Sequence, residues 1–255
     1  MGRQKPGTIH VEGTMSRVAE MSWIAFEKQT QQTDLVLLPL GAVEVYGPHL
    51  PMGTDGFVAM ALATRVAERI PALVAPLIPV GYSRSLQDFP GTLNVSPEAL
   101  KAYVQGICES FLLWGCRRFL FLNGHLGNVA PIAQLCEELR RVHGATCAQV
   151  DIWRFIQPLT RDLMESDTLP FGHASEAGTS VMLYLHPELV DLPAATRTPP
   201  PPDPFPDILQ TGSYREKSGT GVLGDATRGT AEKGEAIISR SVDRLVAFVE
   251  SEAFR

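Results

Sequence analysis

Leu35-Val-Leu-Leu-Pro-Leu40 runs directly into Gly41-Ala-Val-Glu-Val-Tyr-Gly-Pro-His-Leu-Pro-Met-Gly-Thr-Asp55, and this junction decides the fold. The first six residues are apolar throughout instead of alternating, the pattern of a strand covered on both faces in a parallel sheet between helices. The next fifteen hold three glycines, two prolines, Glu44, His49 and Asp55. That punctuation excludes a helix and predicts a long loop from strand to helix. Its two carboxylates and histidine are placed to converge on a cation.

Working outward, Thr54 or Asp55 caps a helix reaching about Ile70, where Pro71 ends it, with Met60, Ala63, Val66, Ala67 and Ile70 inward. Upstream, Val18, Met21, Ile24 and Ala25 give residues 16–32 a helical period. A second strand is expected over 73–80, its two prolines suggesting an edge position. Ser96-Pro-Glu98 opens the next helix, in which Leu100, Tyr103, Val104, Ile107, Phe111 and Trp114 keep the helical period and which closes at Gly115. A third strand, 118–122, enters Asn123-Gly-His-Leu-Gly-Asn128. A helix over 129–143 follows, with Ile132, Leu135, Cys136, Leu139 and Val142 inward, then a fourth strand from Thr146 to Trp153. Strand–helix alternation with short links predicts a right-handed parallel α/β fold. Beyond it are a helix over about 175–186, a proline-rich extended arm at 196–207, glycine-rich loops at 211–229 and a final helix from Ala231 to Glu250. One domain over 1–255 is expected, with a tail at 1–13.

A net charge of −6 with no basic run argues against nucleic acid as partner. No apolar run approaches bilayer length and the first ten residues lack a signal-peptide core, so a cytoplasmic protein without a membrane partner is expected. Cys108, Cys116, Cys136 and Cys147 have no Cys-x-x-Cys spacing and are expected as free thiols.

In open parallel sheets, ligands bind outside the carboxyl ends of the strands. Glu44, Ser83 and His125 each lie just past a different strand, and Asp55 returns to that rim from the start of its helix. Oxygen and imidazole donors without thiolate suit zinc, manganese or ferrous iron. From spacing alone, Asp55 as a helix cap, Glu44 as a solvated loop residue and His125 as a turn residue remain open.

The loops resemble a known family. The Gly41–Asp55 stretch is similar to the creatininase (creatinine amidohydrolase) signature Gly-x-x-Glu-x-His-Gly-Pro-His-Leu-Pro-x-x-Thr-Asp. Phe89-Pro-Gly-Thr92, Asn123-Gly-His-Leu-Gly-Asn128, His173-Ala-Ser-Glu-Ala-Gly-Thr-Ser180, Gly221-Val-Leu-Gly-Asp225 and Ala231-Glu-Lys-Gly234 have counterparts in the same order. The resemblance implies a three-layer α/β/α sandwich with a mainly parallel central sheet, a metal-dependent hydrolase and a homo-hexamer. It places Glu44, Asp55 and His125 at the metal, with Asp55 the position that bridges two metals in binuclear members. His173 stands at the substrate, and Glu176 is expected as general base or further ligand. Two family residues are changed together: a histidine is Tyr46 here and a glutamate is Gly178. That pair implies one remodelled metal position, so one divalent cation per chain is expected, with two as the alternative.

Tyr46, Ser83, Arg84 and Trp153 are expected at a small polar substrate, Arg84 as a partner for a carboxylate or phosphate. The expected reaction is attack of metal-activated water on an amide or cyclic amide carbonyl, with His173 donating a proton or stabilising the oxyanion. The alternatives are hydrolytic opening of a keto-inositol or other oxidised-sugar ring, and a degenerate member that binds without turnover. His49 is expected to structure its loop.

Overall fold

The computed structural model describes residues 16–205, 207–208 and 211–254; the expected tail at 1–13 lies outside them. Four parallel strands form the central sheet: β1 (Leu35–Leu40), β2 (Leu73–Val74), β3 (Arg118–Asn123) and β4 (Thr146–Asp151), in the order β2-β1-β3-β4. β1 is buried along its whole length. Leu35 and Leu37 enter the core on one face and Val36, Leu38 and Leu40 that on the other. Its continuous apolar run therefore reflects helices on both sides.

One helical layer contains α2 (Thr54–Ala67), α5 (Ile152–Thr160), α6 (Glu176–Leu185) and α8 (Ala231–Glu250). The other contains α3 (Pro97–Leu113) and α4 (Val129–His143), with α1 (Trp23–Thr30) packed beside them through Phe26. The result is the expected three-layer α/β/α arrangement. Local signals explain the boundaries. Ser96 accepts a hydrogen bond from the Ala99 amide at 3.2 Å, and Pro97 occupies the first turn of α3. Gly144 closes α4 at φ +66°, a backbone that glycine adopts without strain.

Several expectations change. β2 ends at Val74 because Pro76 and Pro79 cannot donate, and only a bridge at Ile78 continues the pairing, its amide reaching Pro39 O at 3.0 Å. β4 ends at Asp151, and α5 starts at once because Ile152 and Ile156 bury one helical face. α1 is shorter than the 16–32 pattern, since Ser22 caps it and a separate 3-10 turn occupies 18–20. Ile24, Tyr103 and Trp114, read at helical spacing, and Val142, expected inward, are exposed because the apolar stripes are wider than the faces the sheet covers. Arg197–Thr198, within the expected arm, forms β5 and pairs antiparallel with β6 (Gly224–Asp225). A single helical turn, α7 (Tyr214–Lys217), crosses the same side of the molecule as the strand ends. All four cysteines are free, and no described helix is long and apolar enough to cross a membrane.

The sheet register places the site. Leu40 pairs with Asn123, and Asn123 with Asp151, so β1, β3 and β4 finish level and their outgoing loops leave at one height.

Candidate metal centre

Three glycines allow the start of α2 to press against those strand ends. A Cβ on Gly41 would lie 2.5 Å from Gly56 Cα, and one on Gly124 would lie 2.5 Å from Asp55 O. Asp55 is thereby set between Glu44 and His125. The asparagines of Asn123-Gly-His-Leu-Gly-Asn128 fasten the loops together. Asn128 accepts from the Tyr82 amide at 3.0 Å and donates to Gly41 O at 3.0 Å. Asn123 donates to His125 O at 2.7 Å and takes back the His125 amide at 3.2 Å. Asn128 stands at the start of α4, and its side chain joins the loops after β1, β2 and β3.

Glu44, Asp55 and His125 are buried, and one donor atom from each lies within 4.8 Å of the others. His125 Nε2 is 2.9 Å from the Tyr82 carbonyl, which can only accept, so Nε2 carries a proton and Nδ1 turns to the carboxylates. Nδ1 lies 3.0 Å from Glu44 Oε2 and 3.4 Å from Asp55 Oδ2. Both carboxylates are fixed by further donors, Glu44 on the oxygen that faces His125 and Asp55 on its other oxygen. Ser83 Oγ donates to Glu44 Oε2 at 2.6 Å, and the Trp153 indole donates to Asp55 Oδ1 at 3.0 Å. Burial opposes the imidazolium at His125, yet hydrogen bonds to Asp55 and Glu44 and their charges hold its pKa well above the ordinary value. Burial also works against the Glu44 carboxylate, but His125 pulls its pKa below the usual range; burial, with the Glu44 charge adding to it, lifts Asp55. Two buried carboxylates thus share a single imidazole nitrogen. A divalent cation fits this donor set in charge and in ligand type.

A cavity of about 890 Å³ opens over the centre, and Glu44, Tyr46, Asp55, Arg84, His125, Trp153 and His173 line it. Ser83 departs from expectation: it is buried, does not line the cavity, and its hydroxyl is used to hold Glu44. Burial first, then the charges of Asp55 and Glu44 and a hydrogen bond to Asp55, push the Tyr46 phenol well above its ordinary pKa. Its ring lies 4.5 Å from His173 and 6.3 Å from Trp153. A Cβ on Gly178 would meet Tyr46 Cε1 at 3.6 Å and Trp153 Cη2 at 3.8 Å, so the two changed positions are neighbours in space. His173 Nε2 donates to Val45 O at 2.7 Å, which leaves Nδ1 free of that tether. Ala174, the next residue, sits at φ +52°, a strained backbone for a non-glycine that turns the chain into α6 directly after His173.

Glu176 is not at the centre. Its carboxylate is fully buried 2.6 Å from Lys233 Nζ, and it accepts the amides of Glu165 at 2.9 Å and Ser166 at 2.8 Å. With every oxygen engaged there, it is placed to anchor α6 to α8 and not to move protons in the cavity. His49 is buried as a loop-structuring residue: Thr179 Oγ1 donates to Ser175 O, so His49 Nε2 donates to Thr179 at 2.8 Å. Tyr214 and Lys217 of α7 also line the cavity. The sequence reading passed over both, since nothing in a glycine-rich loop marks a four-residue helix that returns to the strand ends.

A family model described as creatinine amidohydrolase matches residues 19–249. The chain is 32% identical over 251 residues to a creatinine amidohydrolase of Pseudomonas putida, covering 92% of this chain and 96% of that protein. It is 34% identical over 226 residues to a mycofactocin precursor peptide peptidase of Mycobacterium tuberculosis, covering 83% and 82%. A 3-dehydro-scyllo-inosose hydrolase of Thermotoga maritima is 28% identical over 253 residues, covering 90% and 81%. Among solved structures, a manganese creatininase superposes with a TM-score of 0.80 at 30% identity, covering 94% of this chain and 98% of that one. A mutant creatininase of Zn-Zn type gives 0.79 at 30% identity with the same coverage.

Proposed function

The chain belongs to the creatininase (creatinine amidohydrolase) family, and from that premise we propose that it is a metal-dependent hydrolase of C–N bonds in a small polar substrate. The observation that carries this reading is the buried meeting of Glu44, Asp55 and His125 under an open cavity. Zinc, manganese or ferrous iron suits the donors; when bound, such an ion lowers the pKa of water to about 7 and polarises a carbonyl.

The chain's own residues supply the rest. Glu44, Asp55 and His125 Nδ1 would hold the ion, while Ser83, Trp153 and the Tyr82 carbonyl fix their orientation. His173 Nδ1 takes the proton of the attacking water and returns it to the leaving nitrogen, so the amide yields a carboxylic acid and an amine. Held to Val45 by Nε2, the ring is kept in one tautomer for this transfer. Tyr46 donates to Asp55 as a neutral phenol and packs on the His173 ring. One ion per chain is the preferred count: a longer side chain at Gly178 would run into Tyr46 and Trp153, so the phenol takes up space beside the centre.

A second reading, hydrolytic opening of an oxidised cyclitol ring, is favoured by the similarity to the Thermotoga enzyme. A non-catalytic binder fits less well, because His173 and the three donors all face one cavity. A homo-hexamer is proposed on the family resemblance, and the exposed Trp23, Ile24, Tyr103 and Trp114 supply apolar surface for such an interface.

The test compares metal-loaded and chelator-treated protein on cyclic amides, linear amides and a keto-inositol. Metal-dependent release of amines supports the first reading. Turnover of the keto-inositol alone replaces it with the second, and metal-loaded protein inert to all three classes overturns both.

A further inference from the structure

The Tyr214 hydroxyl is buried, yet it has no hydrogen-bond partner among the described residues. Buried hydroxyls are nearly always paired, so one left open on a cavity wall points to a partner supplied from outside the chain. The side chain lines the same cavity as Glu44 and His173, with its ring 5.1 Å from the His173 ring.

The element that carries it is tied in place. Ser213 accepts the Arg215 amide at 3.1 Å, and Ser218 Oγ donates to Val222 O at 2.6 Å beyond the other end. Arg215 reaches back across the cavity mouth, donating to Asp88 O at 2.8 Å and lying 5.3 Å over the Phe89 ring. Tyr214 and Lys217, three residues apart on α7, share a helical face, and both line the cavity. Arg84 lines it from the loop after β2. Neither Arg84 nor Lys217 makes a side-chain hydrogen bond or ion pair with any described residue. Asp88 is the acidic group of the same rim, and the two cations outnumber it.

On the reading of the centre as a hydrolytic metal site, we infer that α7 is a substrate-recognition strap for carboxylates. The Tyr214 hydroxyl bonds a polar atom of the substrate beside the centre, and Lys217 with Arg84 takes a carboxylate of the same molecule at the mouth. An ammonium and a planar guanidinium left unpaired at a pocket rim suit that group, and a carboxylate held there leaves the rest of the molecule to reach the centre. The substrate class is therefore an acylated amino acid or the carboxylate end of a short peptide.

The experiment is calorimetric titration of the manganese-loaded full chain with hippurate and with hippuramide, which share an amide and differ in a terminal carboxylate against a neutral amide. Metal content and circular dichroism are recorded for each variant. Wild type is expected to bind hippurate at least about tenfold more tightly than hippuramide, about 1.4 kcal/mol by the usual conversion. Combining Arg84→Gln with Lys217→Gln is expected to erase that preference. Tyr214→Phe is expected to weaken both probes about five- to tenfold with metal content and fold retained. Absent or equal binding of the two probes overturns the inference. So does a preference that survives the double variant, since the carboxylate would then sit on the metal, and so does unchanged binding by Tyr214→Phe. A chain that takes up no manganese overturns the metal reading itself, whereas a loaded chain without carboxylate preference overturns only the strap.

Discussion

Two of the sites where this fold buries acid behave oppositely. Glu176 is fully buried, but Lys233 and two backbone amides neutralise it inside the protein. Glu44 and Asp55 are as deeply buried, and the described chain offers them one imidazole, the Ser83 and Tyr46 hydroxyls and an indole N–H. The first cluster is electrically closed and joins α6 to α8. The second is under-neutralised, faces a cavity, and has the charge and donor set that a divalent cation would complete. What separates a structural carboxylate from a ligand is therefore the source of the compensating charge, and burial alone does not tell them apart.

The comparison can be broken at either cluster. The largest effect is expected at the open one: Glu44→Ala should abolish turnover and metal retention together, read by assay and elemental analysis, while the protein stays folded by circular dichroism. Next, Lys233→Met strands Glu176 without its counter-ion and should cost about 3–5 kcal/mol in denaturant unfolding, with metal content unchanged. Lost metal in that variant would show that the two clusters are coupled. Trp153→Phe removes one hydrogen bond to Asp55 and should weaken metal affinity about 10–100-fold in chelator competition, with little change in unfolding.

The smallest effect concerns His49, which lies apart from both clusters. Burial depresses its pKa from 6.5 to about 4, and its Nδ1 has no partner to receive a donated proton. The unfolded chain takes up a proton near pH 6.5 that the folded chain refuses until about pH 4. Its contribution is therefore fully present above pH 6.5 and is lost progressively as pH falls toward 4. His49→Gln should flatten that part of the stability profile, measured as unfolding midpoints between pH 7 and 4.

The same contrast explains what the sequence disclosed. β1, α4 and α8 were legible because continuous apolar runs, caps and terminal glycines act within a few residues. The meeting of Glu44, Asp55 and His125 was legible because strand ends in a parallel sheet share one edge, which brings Glu44 and His125 together. Glu176 misled because the lysine that neutralises it is 57 residues away, and no local pattern announces a pairing of that range. Ser83 was found at the right loop but assigned to substrate, since its distance from Glu44 exists only once β1 and β2 are paired. α5 and α7 were missed for want of length: nine and four residues give too few turns for a period to stand out.

The central claim is that Glu44, Asp55 and His125 make one cation site per chain. Elemental analysis of divalent metal in wild type and in His125→Ala tests it most directly. One ion per chain in the wild type and none in a folded His125→Ala protein is the predicted result. Full metal in the variant, or a wild type holding none or two per chain, would contradict it.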